Sequence, residues 1–381
     1  MKIGVDIRVL MDEYYSGVSQ YAANLLNAIL ELDKDNEYKL FYNSYHSQEK
    51  RLNIWNRDNA KVGGLRIPNK IFNYIYQKIF KFPKLDEILG GTDVFWSPHF
   101  NFTSLSKNTK KVITVHDLSF LRYPEFFNSR KNFWHKALGI NKTLREADLI
   151  IAVSENTKND IIELVGITED KIKVIYSGNN SVKNEVNKSE TDKYLNSHKI
   201  NSQYIFFLGT IEPRKNIIGL IEAYNKLRAK NESLTDVKLV LAGANGWKNK
   251  KTYRAWQLSA YKNDIIFLGY VNKEEQDILY NSATVFAYPS FYEGFGFPPL
   301  EAMTYGVPVV CSNVSSMPEV VSEAALMINP YEPSELANAL EDVLINESLR
   351  NILINKGLER AKFFTWEKTA REYLEVFKEL K

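Results

Sequence analysis

Short β-branched and aromatic runs alternate with amphipathic stretches along the whole chain. In the first half the runs fall at 3–9, 38–42, 94–97, 112–115, 149–153 and 172–176, with helical periodicity over 18–32, 130–145 and 155–164. The second half repeats the rhythm, with strands predicted at 204–208, 237–242, 265–268, 284–288, 308–312 and 325–328. Strand and helix in alternation predict parallel βαβ units. Runs such as YIFFLG (204–209) and VKLVLAG (237–243) are nearly all apolar, as strands buried on both faces must be. Many runs end in Gly, Ser or Pro, so the chain turns at the carboxyl edge of the sheet, where open α/β sheets bind their ligands.

A chain of 381 residues is long enough for two such units. The Asn-, Lys- and Ser-rich stretch over 179–201 marks the division. It yields an N-terminal α/β domain at 1–185, a linker at 186–202 and a C-terminal α/β domain at 203–363. The amphipathic segment 363–380 carries Phe364, Trp366, Ala370, Tyr373, Leu374 and Phe377 on one side, and a helix over 364–381 is expected to pack back onto the first domain.

The 49 basic and 46 acidic side chains nearly cancel, which argues against a dedicated nucleic-acid binder. A single cysteine, Cys311, forms no internal disulfide and fits a reducing compartment. No apolar run reaches the roughly 18 residues needed to cross a bilayer, and the first residues enter a strand at once. These features predict a cytoplasmic protein. Locally the balance differs: 59–85 holds six Lys or Arg and no acid. Within 66–85, Ile71, Phe72, Ile75, Ile79 and Phe80 recur at helical spacing with Tyr76 beside them, flanked by Lys70, Lys78, Lys81 and Lys84. Two readings fit, a core helix with solvated lysines or a helix lying on an anionic membrane surface.

The richest segment chemically is YPSFYEGFGFPPLEAMTYGVPVV (288–310), a strand, a glycine turn and a helix starting near Pro298 or Pro299. Gly294 and Gly296 allow close backbone approach, and the amides at the helix start favour an anion. Glu293 and Glu301 bracket this turn and suit pairs of sugar or ribose hydroxyls. In FFLGTIEPRKN (206–216), Arg214 and Lys215 follow a buried strand as a planar fork and a compact charge suited to a diphosphate. Gly17 in YYSGVSQY (14–21) opens a helix at the end of the first strand, and VITVHDL (112–118) places His116 and Asp117 after another. No P-loop and no Cys/His metal spacing occur, and Pro299 stands where a dinucleotide fingerprint needs a small residue. The triplet Asp33-Lys34-Asp35 is the one weak metal–diphosphate candidate; no metal and no cofactor are expected.

Together these segments resemble the retaining, GT-B-fold glycosyltransferases known as the glycosyltransferase 4 family. The resemblance rests on the E-x7-E pattern EGFGFPPLE (293–301), its continuation through SSMPE (315–319), GTIEPRKN (209–216), the His116-Asp117 pair and the loop around Gly17. Its wording is most similar to bacterial mannosyltransferases that build surface polysaccharides such as lipopolysaccharide. It implies two Rossmann-like doubly wound domains whose parallel sheets face a central cleft. By the same resemblance Arg214 and Lys215 hold the donor diphosphate, with the backbone of Gly294, Phe295, Gly296 and Phe297 adding positive potential. Glu293 takes the sugar hydroxyls, Glu301 the ribose, His116 lines the sugar site, and Gly17 lets the first domain close over the phosphates. The chain departs from many members in having Ser16 rather than a second glycine before Gly17, and in placing its Arg and Lys side by side. The implied activity is hexose transfer with retention, mannose from GDP-mannose first, to a glycan or lipid-linked glycan acceptor. A GT-B-fold sugar-nucleotide epimerase and a non-catalytic carbohydrate- or polyanion-binding protein are the alternatives.

Overall fold

A computed structural model describes the chain except for residues 12–16, 47, 49–51, 180 and 182. Two compact units emerge: Met1–Arg122, Arg130–Gly178 and Phe364–Lys381 form the first, and Tyr123–Ser129 with Asn179–Phe363 the second. The polar segment at 186–202, read from composition as a linker, contains the helix Lys188–Ser197 and belongs to the second unit. Asn187 starts it by accepting from the amides of Ser189 and Glu190, the local cap that lets a polar sequence be helical.

The first unit holds a seven-stranded sheet: β1 (Lys2–Asp6), β2 (Glu37–Asn43), β3 (Ala60–Leu65), β4 (Val94–Ser97), β5 (Lys110–Val115), β6 (Leu149–Ala152) and β7 (Ile172–Val174), in the order β3-β2-β1-β4-β5-β6-β7. The second holds six strands, β8 (Tyr204–Leu208), β9 (Lys238–Ala242), β10 (Ile265–Gly269), β11 (Val285–Tyr288), β12 (Val309–Ser312) and β13 (Ala325–Ile328), ordered β10-β9-β8-β11-β12-β13. Every pairing between these strands is parallel. Strand order reverses between β1 and β4, and again between β8 and β11. Edge strand β3 has no counterpart among the strands read from the sequence, because Gly63 and Gly64 interrupt its apolar pattern. Gly64 is dictated by packing: a Cβ there would stand 2.1 Å from the Tyr42 carbonyl oxygen.

The helix Trp366–Glu379 packs against the helix Gly17–Leu32 and is tied to the first sheet by buried polar groups. Tyr373 Oη lies 2.7 Å from Tyr21 Oη and 2.6 Å from Thr114 Oγ1, while Trp96 Nε1 donates to Thr114 Oγ1 at 2.9 Å. Each of these groups is buried, so each must find its partner within the protein. Elsewhere in this unit, the stripe in 66–85 is not a core stripe. Its helix, Ile71–Phe80, buries Phe72 and Gln77 and leaves Ile71, Ile75, Tyr76, Ile79 and Phe80 exposed.

Two substitutions test this closure of the first unit. Phe377→Ala removes a fully buried ring and is expected to cost about 3–5 kcal/mol. Tyr373→Phe takes the partner of the buried Tyr21 hydroxyl and one of the two partners of Thr114, and should cost about 1–3 kcal/mol. Urea unfolding followed by tryptophan fluorescence, with Trp96 beside Tyr373, measures both.

Candidate functional site

Strand order reverses between β8 and β11, and the carboxyl ends at such a reversal are the place where doubly wound sheets bind ligands. Both segments singled out in the sequence emerge there. After β8 the chain makes the single turn Pro213–Lys215 and enters the helix Ile217–Lys230. Asn216 fixes the reversal: with φ at 53°, its side chain accepts from the Gly219 amide at 3.2 Å and donates to the Pro330 carbonyl at 2.7 Å. After β11 the loop leads into the helix Phe297–Thr304.

The two segments meet at Glu293, a buried carboxylate. Its Oε2 accepts from Arg214 Nη1 at 2.8 Å and its Oε1 from Lys215 Nζ at 2.6 Å. Lys215 also donates to the hydroxyl of Tyr288, the last residue of β11. Arg214 donates from Nε and Nη2 to Glu212 Oε1 at 3.1 and 2.9 Å, and from Nη1 to the Tyr292 carbonyl at 2.9 Å. Ser315 accepts from the Glu293 amide at 2.9 Å, and Ser316 donates to the carbonyls of Glu293 and Phe295 at 3.0 and 2.7 Å.

Burial opposes ionisation of Glu293, but the charges of Arg214 and Lys215 outweigh it and bring the pKa down from 4.5 to about 2. Loss of hydration pulls the Lys215 ammonium below its ordinary value; Glu293 counters this and Arg214 adds to it. Two cations facing two carboxylates are electrically balanced. The cluster can offer carboxylate oxygens to hydroxyl groups as it stands, whereas its cations reach an anion only as one of these ion pairs loosens.

Glu301 lies apart from this cluster, one turn into its helix. It is half-buried and accepts from Tyr280 Oη at 3.1 Å. The loss of hydration it does suffer raises its pKa, against the pull of Lys273 and Tyr280. The pair bracketing the turn is therefore unlike: one carboxylate is locked ionised by two cations and the other is held by a phenol. Gly296 has φ at 107°, and a Cβ there would stand 2.1 Å from Met317 Cε, so packing as well as backbone conformation excludes a side chain. Pro298 and Pro299 carry no N–H, leaving Phe297 as the one amide among the first three helical residues. Gly294 and Phe295 precede it in the loop.

In the first unit, His116 follows β5. Its Nε2 lies 2.8 Å from the Pro98 carbonyl, and its ring meets Tyr21 edge-on at 4.7 Å. A carbonyl only accepts, so Nε2 carries the proton. Burial lowers the pKa to about 4, which leaves a neutral ring with Nδ1 as acceptor. Gly17 is exposed at the start of its helix, and among the described residues beyond its chain neighbours an added Cβ would meet no atom within 4 Å. Ser16 lies outside the described residues. Asp33 is used structurally, accepting from the Asp35 amide at 3.0 Å, from Asn36 and from Tyr38. Among the described residues no group of three or more His, Cys, Asp or Glu could hold a metal.

Glu212, Tyr288, Ser315, Ser316 and Tyr280 join the site without having been singled out. Glu212 stands two residues before Arg214, and Ser315-Ser316 open the SSMPE segment. Those positions are the only trace they leave in the sequence.

Comparison with known proteins gives concordant results. Residues 189–360 match the family described as glycosyl transferases group 1, and residues 15–181 match Glycosyltransferase Family 4. The O-antigen chain mannosyltransferase B of Escherichia coli is 36% identical over 280 residues, covering 73% of this chain and 72% of that protein. The serotype-specific mannosyltransferase WbdA of Escherichia coli is 29% identical over 273 residues, 71% of this chain but 34% of the much longer relative. Among solved structures, sucrose-phosphate synthase from Thermosynechococcus elongatus superposes with a TM-score of 0.74 at 18% identity, covering 100% of this chain and 98% of that one. Anabaena HepE in complex with UDP and glucose gives 0.73 at 19%, with both chains covered in full.

The depressed pKa of Glu293 has a consequence for stability. Its contribution is complete above its ordinary value and is lost as pH falls through the folded one. Glu293→Gln should be less stable than the wild type at neutral pH, and the gap should close as pH falls from about 4.5 toward about 2. Denaturant midpoints across that window measure it.

Proposed function

The chain belongs to the GT-B glycosyltransferases of group 1 and family 4, and on that premise we propose that it transfers mannose from GDP-mannose, with retention and without a metal, to a glycan or lipid-linked glycan acceptor of surface polysaccharide synthesis. The observation that carries the reading is the Glu293–Arg214–Lys215 cluster at the strand reversal. The choice of mannose draws support from the relatives, which are named as mannosyltransferases.

In this reading the chemical need is to stabilise a departing nucleoside diphosphate. Preoriented cations and amides aimed at the developing charge meet it. Arg214 and Lys215 are assigned to the diphosphate, with the backbone around Gly294, Phe295, Gly296 and Phe297, and Glu301 to the ribose hydroxyls. Glu293, ionised far below neutral pH, accepts from sugar hydroxyls and is no proton donor. His116, neutral at the same pH, is an acceptor through Nδ1 and not a general acid. As the diphosphate draws on Arg214 and Lys215, the carboxylate they release becomes the sugar's acceptor, so donor binding and sugar recognition are one event. Peripheral attachment to an anionic membrane through 66–85 belongs to the same proposal, supported by the exposed apolar residues of the helix Ile71–Phe80. No helix among the described residues is long and apolar enough to cross a membrane.

Release of GDP from GDP-mannose should exceed release of UDP from UDP-glucose and persist in EDTA. Arg214→Ala or Lys215→Ala removes a charge-assisted contact of about 1.5–3 kcal/mol, so at least one should lose roughly tenfold or more in turnover. Wild-type turnover in both variants refutes the assignment. Calorimetry separates the glutamates: Glu301→Ala should weaken GDP binding, whereas Glu293→Gln, which frees Arg214 and Lys215, should preserve or tighten it and depress transfer.

A further inference from the structure

Arg214 is committed to two carboxylates and holds them unequally. Toward Glu293 it sends Nη1, which it also shares with the Tyr292 carbonyl. Toward Glu212 it turns the edge formed by Nε and Nη2. An arginine edge of that kind ordinarily spans both oxygens of a carboxylate. Here the two donors converge on Glu212 Oε1, at 3.1 and 2.9 Å. Glu212 is 2% exposed, and among the described residues its Oε2 has no hydrogen-bond partner. A buried carboxylate oxygen left unpaired is costly. Half of the strongest pairing is thus forgone beside the guanidinium that could complete it.

The backbone on both sides of this pair is fixed. The Ile211 amide donates to the Ala244 carbonyl at 2.9 Å, and the Gly246 amide to the Ile211 carbonyl at 3.2 Å, which laces the segment to the loop after β9. The loop lies so close that a Cβ on Gly246 would stand 3.3 Å from Glu212 Cβ and 2.8 Å from the Ile211 oxygen. The Arg214 carbonyl accepts from the Phe291 amide at 2.9 Å. What can shift is the guanidinium at the end of its stem, and Nη1 is held by Glu293.

We propose that Glu212 is a positioning residue for the donor diphosphate: as the anion loosens the Arg214–Glu293 pair, the guanidinium closes on both oxygens of Glu212 and stays oriented in the site. The proposal rests on the preceding assignment of Arg214 to the diphosphate. Glu212 and Glu293 compete for one arginine. With Glu212 present, Arg214 has a complete pairing to adopt as it leaves Glu293. With Glu212 neutralised, Arg214 stays on Glu293 beside Lys215, and the anion must break both ion pairs unaided. The sign of the effect separates this role from simple charge balance. A carboxylate that only offsets a cation repels an incoming diphosphate, so neutralising it tightens binding. A carboxylate that draws the arginine off its neighbour favours binding, so neutralising it weakens binding.

GDP titrated by calorimetry reads that sign. Glu212→Gln should weaken GDP by roughly tenfold, whereas Glu293→Gln does not weaken it. Glu212→Asp keeps the charge and withdraws it by a methylene. It should weaken GDP as well, and it carries the test if the glutamine variant folds poorly. Arg214→Lys keeps a cation without the planar fork, and in its presence Glu212→Gln should bring no further loss. That cycle isolates the coupling between the two side chains, which a merely structural glutamate would not show. GDP affinity at or above the wild-type level in either Glu212 variant overturns the proposal. An equal loss from Glu212→Gln with and without Arg214→Lys overturns it too. Absence of GDP binding by the wild type, or undiminished binding by Arg214→Ala, faults the diphosphate assignment itself and takes the proposal with it.

Discussion

A carboxylate taken out of water must be paired, and in the second unit that constraint fixes everything around the strand reversal. Glu293 can be buried only if Arg214 and Lys215 arrive with it, so the loops after β8 and β11 have no independent conformations. The remaining contacts serve that junction. Asn216 sets the angle at which the two cations are delivered, Ser315 and Ser316 grip the backbone of Glu293, and Met317 fills the space that Gly296 leaves open.

The first unit solves the same problem at its own reversal and puts the solution to another use. Arg8, just past β1, grips Asp6 through Nε and Nη2 at 2.8 and 2.6 Å, both side chains being buried. Its other donors go to Asn73 Oδ1 and the Phe102 carbonyl, each at 3.0 Å. Where Arg214 divides itself between two carboxylates, Arg8 closes on one and ties the helix Ile71–Phe80 to the segment at Phe102 with the rest. One unit thus commits its arginine to a cluster of carboxylates at the strand reversal, the other to a single buried carboxylate and the segments around it.

What could be read from the sequence follows from which physics is local. The six strands of the second unit are continuous apolar runs and were readable as such. Strand β3 was hidden because close packing against Tyr42 demands glycine. Arg214, Lys215, Glu293 and Glu301 announce themselves by residue type and position. Glu212 does not, since its part is to share an arginine with a residue far along the chain. The polar composition of 186–202 suggested a linker, but a single capping asparagine is enough to begin a helix there. Periodicity over 66–85 located the helix correctly and was silent on which apolar residues meet water, because spacing defines a face without saying what it faces.

The hydroxyl of Tyr373 also orders events during synthesis. Thr114 precedes its partner by 259 residues and Tyr21 by 352. At roughly 5–20 residues per second, a nascent chain spends on the order of tens of seconds with those hydroxyls and the surface beside the helix Gly17–Leu32 uncovered. All six strands of the second sheet leave the ribosome in that interval. The unit begun first is therefore completed last, when its C-terminal helix closes the face that the first strands left open.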